Sequence, residues 1–322
     1  MGEFELIRRY FAAAACARMS GEADGVALGI GDDCALLGVA PGEQLAVSTD
    51  TLVAGVHFPE QGDPGLLGQR ALAVSTSDLA GMGAAPVGFT LALTIPSVDP
   101  DWLAAFAHGL DAMAASCGMR LLGGDTTRGP LSMTLTVFGR LPSGQALLRS
   151  GARPGDLLCV GGALGDAAGA LPIVLGERDG HTPEAAELLS RYWSPQPQLG
   201  LGQALRGRAT AALDISDGLL ADCAHIAAAS SVSLIIEQSR VPLSSALLAV
   251  AGAEGGLQCA LAGGDDYVLA FTLPADAAPG LREEGWPIHV IGHVARGEGV
   301  HLLDTAGRAV APHRRGYNHF QG

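Results

Sequence analysis

The 322-residue chain contains no lysine; all 19 of its basic residues are arginine. This excludes Schiff-base chemistry on a lysine amine. It also excludes the P-loop lysine of G-x-x-x-x-G-K-[ST] and the strand lysine of protein kinases. Any bound phosphate must therefore meet arginine, backbone N–H groups or metal ions. Acidic residues number 33, and the net charge of −14 leaves nothing able to neutralise a nucleic-acid backbone. No uninterrupted apolar run reaches the roughly 18 residues of a membrane-spanning helix, so no membrane partner is expected. Neither G-x-S-x-G nor H-E-x-x-H occurs, which leaves nucleophile-elbow and zinc-helix chemistry unsupported. The six cysteines, at 16, 34, 117, 159, 223 and 259, form no C-x-x-C or zinc spacing. They read as reduced, small apolar residues, with Cys34 beside Asp33 the one to watch. The segment RRYFAAAAC (8–16) imitates a twin-arginine signal ending in a lipidation cysteine. Acidic residues precede it, its apolar stretch is too short, and Arg18 follows, so a cytoplasmic protein is expected.

What is present is a glycine-rich globular composition, 48% hydrophobic with 46 glycines, long enough for one large domain or two ordinary ones. Phe4, Ile7, Phe11 and Ala14 share a helical face and predict an amphipathic helix over 3–19. Further helical patterns cover 64–82 and 100–117. Strand-like runs cover 44–50, 88–96 and 131–141. The turn-rich LRSGARPGD (148–156) separates this half from a second one. The second half opens on the strand DLLCV, the loop GGALG (161–165) and a helical run from Asp166. Later strands are AALDI, SLIIE, YVLAFTL, HVIGHV and VHLLD, with helices near 183–193, 217–229 and 276–285. Several strands follow one another as hairpins, which predicts two α+β domains, 1–148 and 149–322, over a doubly wound parallel sheet.

Carboxylates recur where apolar runs end: LGIGDDCALL (28–37), STDT (48–51), LLGGDTT (121–127), LDISDG (213–218) and LAGGDDY (261–267). A single such aspartate is ordinarily a turn residue or helix cap, and Asp217 stands where it would cap the following helix. Five such sites in a chain so sparse in charge point instead to strand ends and glycine turns that gather anions. Asp78 strengthens this reading. It falls on the apolar stripe of Leu67, Ala71, Val74 and Met82, where an isolated carboxylate must be protonated, paired or bound to a cation. Surroundings of Asp, Ser and Thr suit Mg²⁺ far better than zinc. Carboxylates and phosphates share a cleft only with cations between them, so the pattern predicts a polyphosphate site built through several Mg²⁺ ions. Arg149 is the direct phosphate contact that pattern suggests. GGALG presents N–H groups but is out of register for G-x-G-x-x-G. Transfer between phosphates needs positioning and charge neutralisation rather than a protein nucleophile.

The motifs GEFELIRRYF, LGIGDDCALL, STDTLVAGVHF, SDLAGMGA, GGDTTRGP, RSGARPGD, DISDGL, GGDDY and the final GYNHF, in this order from residue 2 to about 320, resemble the bacterial thiamine-monophosphate kinases. That family belongs to the aminoimidazole ribonucleotide synthetase-like (PurM-like) superfamily of ATP-dependent enzymes. The resemblance implies an α+β fold of two PurM-like domains, the first with a mixed sheet that dimerises. It implies transfer of the ATP γ-phosphoryl group to thiamine monophosphate, giving thiamine diphosphate and ADP. Carried over by position, it implies Mg²⁺ ligands at Asp33, Ser48, Thr49, Asp50, Asp78, Asp125, Asp214 and Asp217. ATP would meet Gly124, Asp125, Arg149 and Ser216. Thiamine phosphate would meet His57, Asp265 and Tyr317. The family often has glutamate at the position of Asp265 and lysine at that of Arg153. Trp193 matches no family motif and reads as a packing residue.

Overall fold

The computed structural model describes residues 3–18, 25–30, 34–311 and 316. The chain divides into two compact units, Met1–Leu79 with Ala84–Gly144, and Ala80–Gly83 with Gln145–Gly322. In chain order the first unit carries α1 (Glu3–Leu6), β1 (Val26–Leu28), β2 (Leu36–Leu37), β3 (Glu43–Val53), α2 (Pro64–Gly81), β4 (Ala85–Ile95), α3 (Pro100–Cys117), β5 (Arg120–Arg128) and β6 (Ser132–Pro142). Its principal sheet has the order β3-β6-β4-β5. Only the β4–β5 pair is parallel. Every second residue of β6, from Met133 through Leu135, Val137 and Gly139 to Leu141, is buried, as a pleated strand with one covered face requires.

Two expectations need correction. The helix over 3–19 is broken: α1 passes into a π-helical segment, Ile7–Phe11, and a 3-10 turn, Ala15–Ala17. The amide of Cys16 donates to Asp111 of α3 at 2.6 Å, a tertiary bond that holds the chain off a helical path. STDT and GGDTT are not strand ends or turns, because β3 and β5 run through both. At Gly124 the extended strand takes φ +149°, and a Cβ there would lie 1.9 Å from the Leu91 carbonyl oxygen of β4. Only glycine lets β5 approach β4 this closely, so a sequence that looks like a turn forms strand.

Helix α2 lies on the β3–β6 face, with Leu79 reaching toward Gly139. Helix α3 starts on an Asp99 cap that accepts from Asp101 and Trp102, and it stops at Gly118 in the left-handed conformation. The two helices meet at a seam of glycines. A Cβ on Gly109 would lie 1.8 Å from the carbonyl oxygen of Gly65, and one on Gly68 would lie 2.4 Å from that of Phe106.

The second unit carries β7 (Leu157–Val160), α4 (Asp166–Val174), α5 (Pro183–Trp193), α6 (Leu199–Leu205), β8 (Ala211–Asp214), α7 (Leu219–Ser230), β9 (Ser233–Glu237), α8 (Ser245–Ala262), β10 (Leu269–Leu273), α9 (Ala278–Glu283), β11 (His289–Ala295), β12 (Gly299–Leu303) and β13 (Ala309–Val310). Its sheet has the order β13-β12-β9-β11-β7-β10-β8, with only β12 and β9 parallel. Leu158, Val160, Leu213 and Ile236 pack with Leu219, Cys223 and Ile226 of α7. Cys159 and Phe271 pack with Leu201 and Leu205 of α6 and Leu281 of α9. Trp193 meets Tyr192 edge to face at 4.8 Å beside the cluster joining α4, α5 and α8, which agrees with its reading as a packing residue. By length and composition α8 is apolar enough to cross a membrane. Its backbone is broken at Gly252, and Ala246, Leu247, Ala260 and Leu261 are buried in the unit's own core. The sequence patterns leave out α6 and α8.

Alanine ordinarily stabilises a helix relative to glycine by about 1 kcal/mol. At Gly109 the sign should reverse. Gly109→Ala should lower stability by about 2 kcal/mol or more, because the seam with α2 must open to admit the methyl group. Urea unfolding measures it, and an unchanged or higher midpoint would show that the seam yields freely.

Candidate active site

In the first unit the pleat sorts the predicted ligands. Ser48 and Asp50 lie on the face of β3 that meets α2, where the Ser48 hydroxyl donates to Asp78 Oδ2. Thr49 takes the opposite face and pairs with Thr136 on β6, Oγ1 to Oγ1, at 2.9 Å. The structure thus groups Ser48, Asp50 and Asp78 and directs the Thr49 hydroxyl elsewhere. Burial and then the charge of Asp78 raise the Asp50 carboxyl to about 6, against a hydrogen bond from Ser75. The single Ser75 proton is also within reach of the Ala71 carbonyl, at 3.2 Å. Thr76 of the same turn bonds back to Leu72 and so remains structural. Two carboxylates that repel at a half-buried position, with hydroxyl oxygens bonded to them and no histidine or cysteine bonded to them among the described residues, form a donor set suited to a hard cation. Among the described residues no three His, Cys, Asp or Glu side chains form a ready-made metal cage.

The turn after β3 folds His57 back on the strand. The Val53 amide donates to His57 Nδ1 at 3.0 Å, and the His57 amide donates to the Val53 carbonyl at 2.9 Å. An Nδ1 that accepts places the proton of the neutral ring on Nε2. Gly124 and Asp125 are exposed on β5 and line a cavity of about 820 Å³. Arg8, which sequence reasoning did not single out, lines the same cavity. Asp33 and Tyr317 lie outside the described residues.

In the second unit two turns carry the chemistry. Asp214 closes β8, and Ser216 and Asp217 follow in the turn before α7. Asp217 is not the helix cap. One oxygen of Asp222, in the first turn of α7, accepts from the amides of Ser216, Asp217 and Gly218 at 3.0, 2.9 and 3.1 Å. Burial raises the Asp222 carboxyl to about 6, even though these three donors favour its ionised form. Asp222 was also missed; its signal was an acidic residue one turn after a D-G pair. The second turn pairs with the first: the Asp265 amide donates to the Ser216 carbonyl, and the Tyr267 amide to the Ile215 carbonyl, each at 2.8 Å. Gly264, Asp265 and Tyr267 all have positive φ. A Cβ on Gly264 would sit 2.5 Å from the Ser216 carbonyl oxygen. The Tyr267 hydroxyl donates to Asp265 at 2.9 Å. Asp266 accepts from the Gly165 amide at 2.7 Å, tying this turn to GGALG. Arg149 is exposed, and its carbonyl accepts from Ser230, whose hydroxyl oxygen also accepts from Gly151 and Ala152.

Residues 31–141 match the family model described as AIR synthase related protein, N-terminal domain. Over 327 aligned residues the chain is 44% identical to the thiamine-monophosphate kinase of Salmonella typhimurium strain LT2, covering 99% of this chain and 98% of that one. The chain belongs to the thiamine-monophosphate kinase family. It is thereby a phosphotransferase. A solved thiamine-monophosphate kinase from Stenotrophomonas maltophilia K279a is 45% identical, with a TM-score of 0.83 over 90% of this chain and 93% of that one. A structure described as AaThiL complexed with AMPPCP and TMP is 29% identical, with a TM-score of 0.80 over 88% of this chain and 89% of that one. The expected α+β architecture with mixed sheets and an aminoimidazole ribonucleotide synthetase-like domain agrees with these matches.

Two substitutions test the electrostatics. The Asp50 carboxyl titrates near 6 when folded and near 4 when unfolded, so the folded chain binds the extra proton between those values and stability falls as pH rises through them. Asp50→Asn removes that fall. In chelator it should exceed the parent by about 1–2 kcal/mol at about pH 8, match it near pH 4, and lose turnover. Lower stability at the alkaline end would mean that neither burial nor Asp78 disfavours the charge on Asp50. Asp222→Ala should cost about 2 kcal/mol or more in urea unfolding, since three amides lose their acceptor, and Asp222→Asn should cost less. Equal losses would mean that a neutral acceptor oxygen restores nothing and that the charge on Asp222 carries the whole contribution.

Proposed function

We propose that this chain transfers the γ-phosphoryl group of ATP to thiamine monophosphate, releasing thiamine diphosphate and ADP. The observation that carries the reading is likeness along nearly the whole chain to thiamine-monophosphate kinases. The complex described with AMPPCP and TMP supports the same pair of substrates. A terminal oxygen of the acceptor phosphate attacks the γ-phosphorus in line, the β–γ bridging bond breaks, and its electron pair leaves with ADP. The acceptor is already ionised, so no covalent enzyme intermediate and no strong base are needed.

In this reading the residues that hold magnesium are Asp33, Ser48, Asp50, Asp78, Asp125, Asp214 and Asp217; of the expected ligands Thr49 is left out, since its hydroxyl pairs with Thr136 on the opposite face of β3. The bound ions supply the positive charge that lets these side chains and the phosphates share one site. The half-buried repulsion between Asp50 and Asp78, and the all-oxygen surroundings, support that assignment. Gly124, Asp125, Arg149 and Ser216 contact ATP, while His57, Asp265 and Tyr317 contact thiamine phosphate. The proton on His57 Nε2 suits donation to a phosphate oxygen. Residues 1–148 form the domain that dimerises and carries the first set of metal, ATP and substrate residues; residues 149–322 form the domain that carries the remainder. On the outer face of β3, Leu45 and Val47 are 40% and 55% exposed, which supports a homodimer through this sheet. All six cysteines are free thiols, in keeping with a cytoplasmic, reducing compartment.

Purified protein with ATP, Mg²⁺ and thiamine monophosphate should form ADP and thiamine diphosphate in equal amounts. No turnover at any Mg²⁺ concentration would refute the reading. His57→Ala should raise KM for thiamine monophosphate about tenfold or more, with KM for ATP within about twofold of the parent, since one charge-assisted hydrogen bond is worth roughly 1.5–3 kcal/mol. A selective loss of ATP affinity would place His57 on the other substrate.

A further inference from the structure

The turn that carries Asp265 is tied down by the side chain of the next residue. Asp266 Oδ1 accepts from the Gly165 amide at 2.7 Å. Asp266 as a whole is half-buried, but its Oδ2 is sealed from water and has no hydrogen-bond partner among the described residues. Gly165 is pressed against α8, where a Cβ on it would lie 2.5 Å from the Ala260 amide nitrogen. The groups that face Asp266 are mostly acidic. Asp166 of α4, Asp265 in the same turn and Asp222 of α7 each oppose a charge on it. Arg191 of α5 and His289 of β11 line the cavity of about 410 Å³ beside it, but the charge of Arg191 acts on Asp166, which the Ser244 hydroxyl also holds at 2.5 Å. Cys259 of α8 lies close enough for the Asp266 charge to raise its thiol beyond the effect of burial. Burial is the largest influence on Asp266 itself and lifts its titration well above the carboxylate range, against the Gly165 bond. An anionic oxygen with neither water nor a donor costs more than an O–H in the same place.

We infer that Asp266 is a positioning residue that works as a neutral acid: with its proton on Oδ2 and its Oδ1 on the Gly165 amide, it aims Asp265 at thiamine monophosphate. The inference rests on the kinase reading above, in which Asp265 meets that substrate, and adds a residue assigned to neither substrate nor metal. Asp265 and Tyr267 have φ of +62° and +51°, conformations that persist only under outside constraint. Two constraints are backbone bonds, from the Asp265 amide to Ser216 and from the Tyr267 amide to Ile215. The Asp266 side chain, standing between these two residues, supplies a third and ties them to a different loop. Loss of its proton would put an uncompensated charge among Asp166, Asp222 and Asp265. The turn relieves that charge by opening toward water, and Asp265 moves with it.

Kinetics, stability and infrared spectra of the full chain test the neutral tether. Asp266→Ala removes the bond to Gly165 and should raise KM for thiamine monophosphate at least tenfold, with KM for ATP within about threefold of the parent. Asp266→Asn is isosteric with the protonated acid and should bring KM for thiamine monophosphate back to within about threefold. Unchanged kinetics in a folded Asp266→Ala protein, or a loss in Asp266→Asn as large as in Asp266→Ala, would overturn the inference. The second readout needs no turnover. A carboxyl that keeps its proton when folded, and gives it up near pH 4 when unfolded, makes stability fall as pH rises above that value. Asp266→Asn removes this fall, so its urea midpoint should match the parent near pH 4 and exceed it at about pH 8. Equal midpoints at both would overturn the neutral acid. At the alkaline end of that range the infrared difference between parent and Asp266→Asn should contain the carbonyl stretch of a protonated carboxylic acid, and its absence would do the same. These two readouts hold whether or not phosphate is transferred, so a parent protein without turnover would strike the kinase reading and leave the protonation of Asp266 standing.

Discussion

The molecule is organised around a repulsion. Asp50 and Asp78 approach each other at the junction of a strand and a helix, where water is partly excluded and like charges oppose each other more strongly than at the surface. Nothing cationic among the described side chains is bonded to either one. The folded chain instead tolerates the pair through two hydroxyls, Ser48 on Asp78 and Ser75 on Asp50, and by lifting the Asp50 titration toward neutrality. A group held in this state gains most from an arriving divalent cation. The same arrangement that weakens the empty protein favours the loaded one, as expected where function and stability are in conflict.

Holding such a pair requires a rigid frame, and the first unit supplies it by close backbone packing. The glycine seam between α2 and α3 sets the depth at which α2 lies, and α2 carries both Ser75 and Asp78. Strand β3 then fixes Ser48 and Asp50 at adjacent inward positions of its pleat. A change of one residue in register would turn both side chains to the opposite face and bring Thr49 inward.

The second unit solves a related problem differently. Beyond Asp214 at the end of β8, its functional candidates Ser216, Asp217 and Asp265 stand in turns, which a ladder cannot position, so a buried carboxylate takes the place of neighbouring strands. Asp222 collects three consecutive amides on one oxygen. The partner turn stores backbone strain in Asp265 and Tyr267, with Gly264 taking its positive φ freely, and is tied down through Asp266. Strain of this kind persists only where the surroundings over-determine the conformation. Both carboxylates, one seen as a cap and one as a tether, direct backbone rather than ligand.

Residue types and their local order were enough to establish the class of chemistry. With lysine absent and aspartates repeated after apolar runs, a phosphate site could rest only on arginine, backbone and metal. Pairings between distant segments were not legible. Asp111 capturing the Cys16 amide breaks a helix that periodicity predicts, and the Leu91 carbonyl beside Gly124 turns an apparent loop into a strand. Hydrophobic period and turn propensity report what a segment does alone. Which carboxylate faces metal, which holds a turn, and which hydroxyl points away depend on contacts between residues dozens of positions apart, and folding alone brings those together.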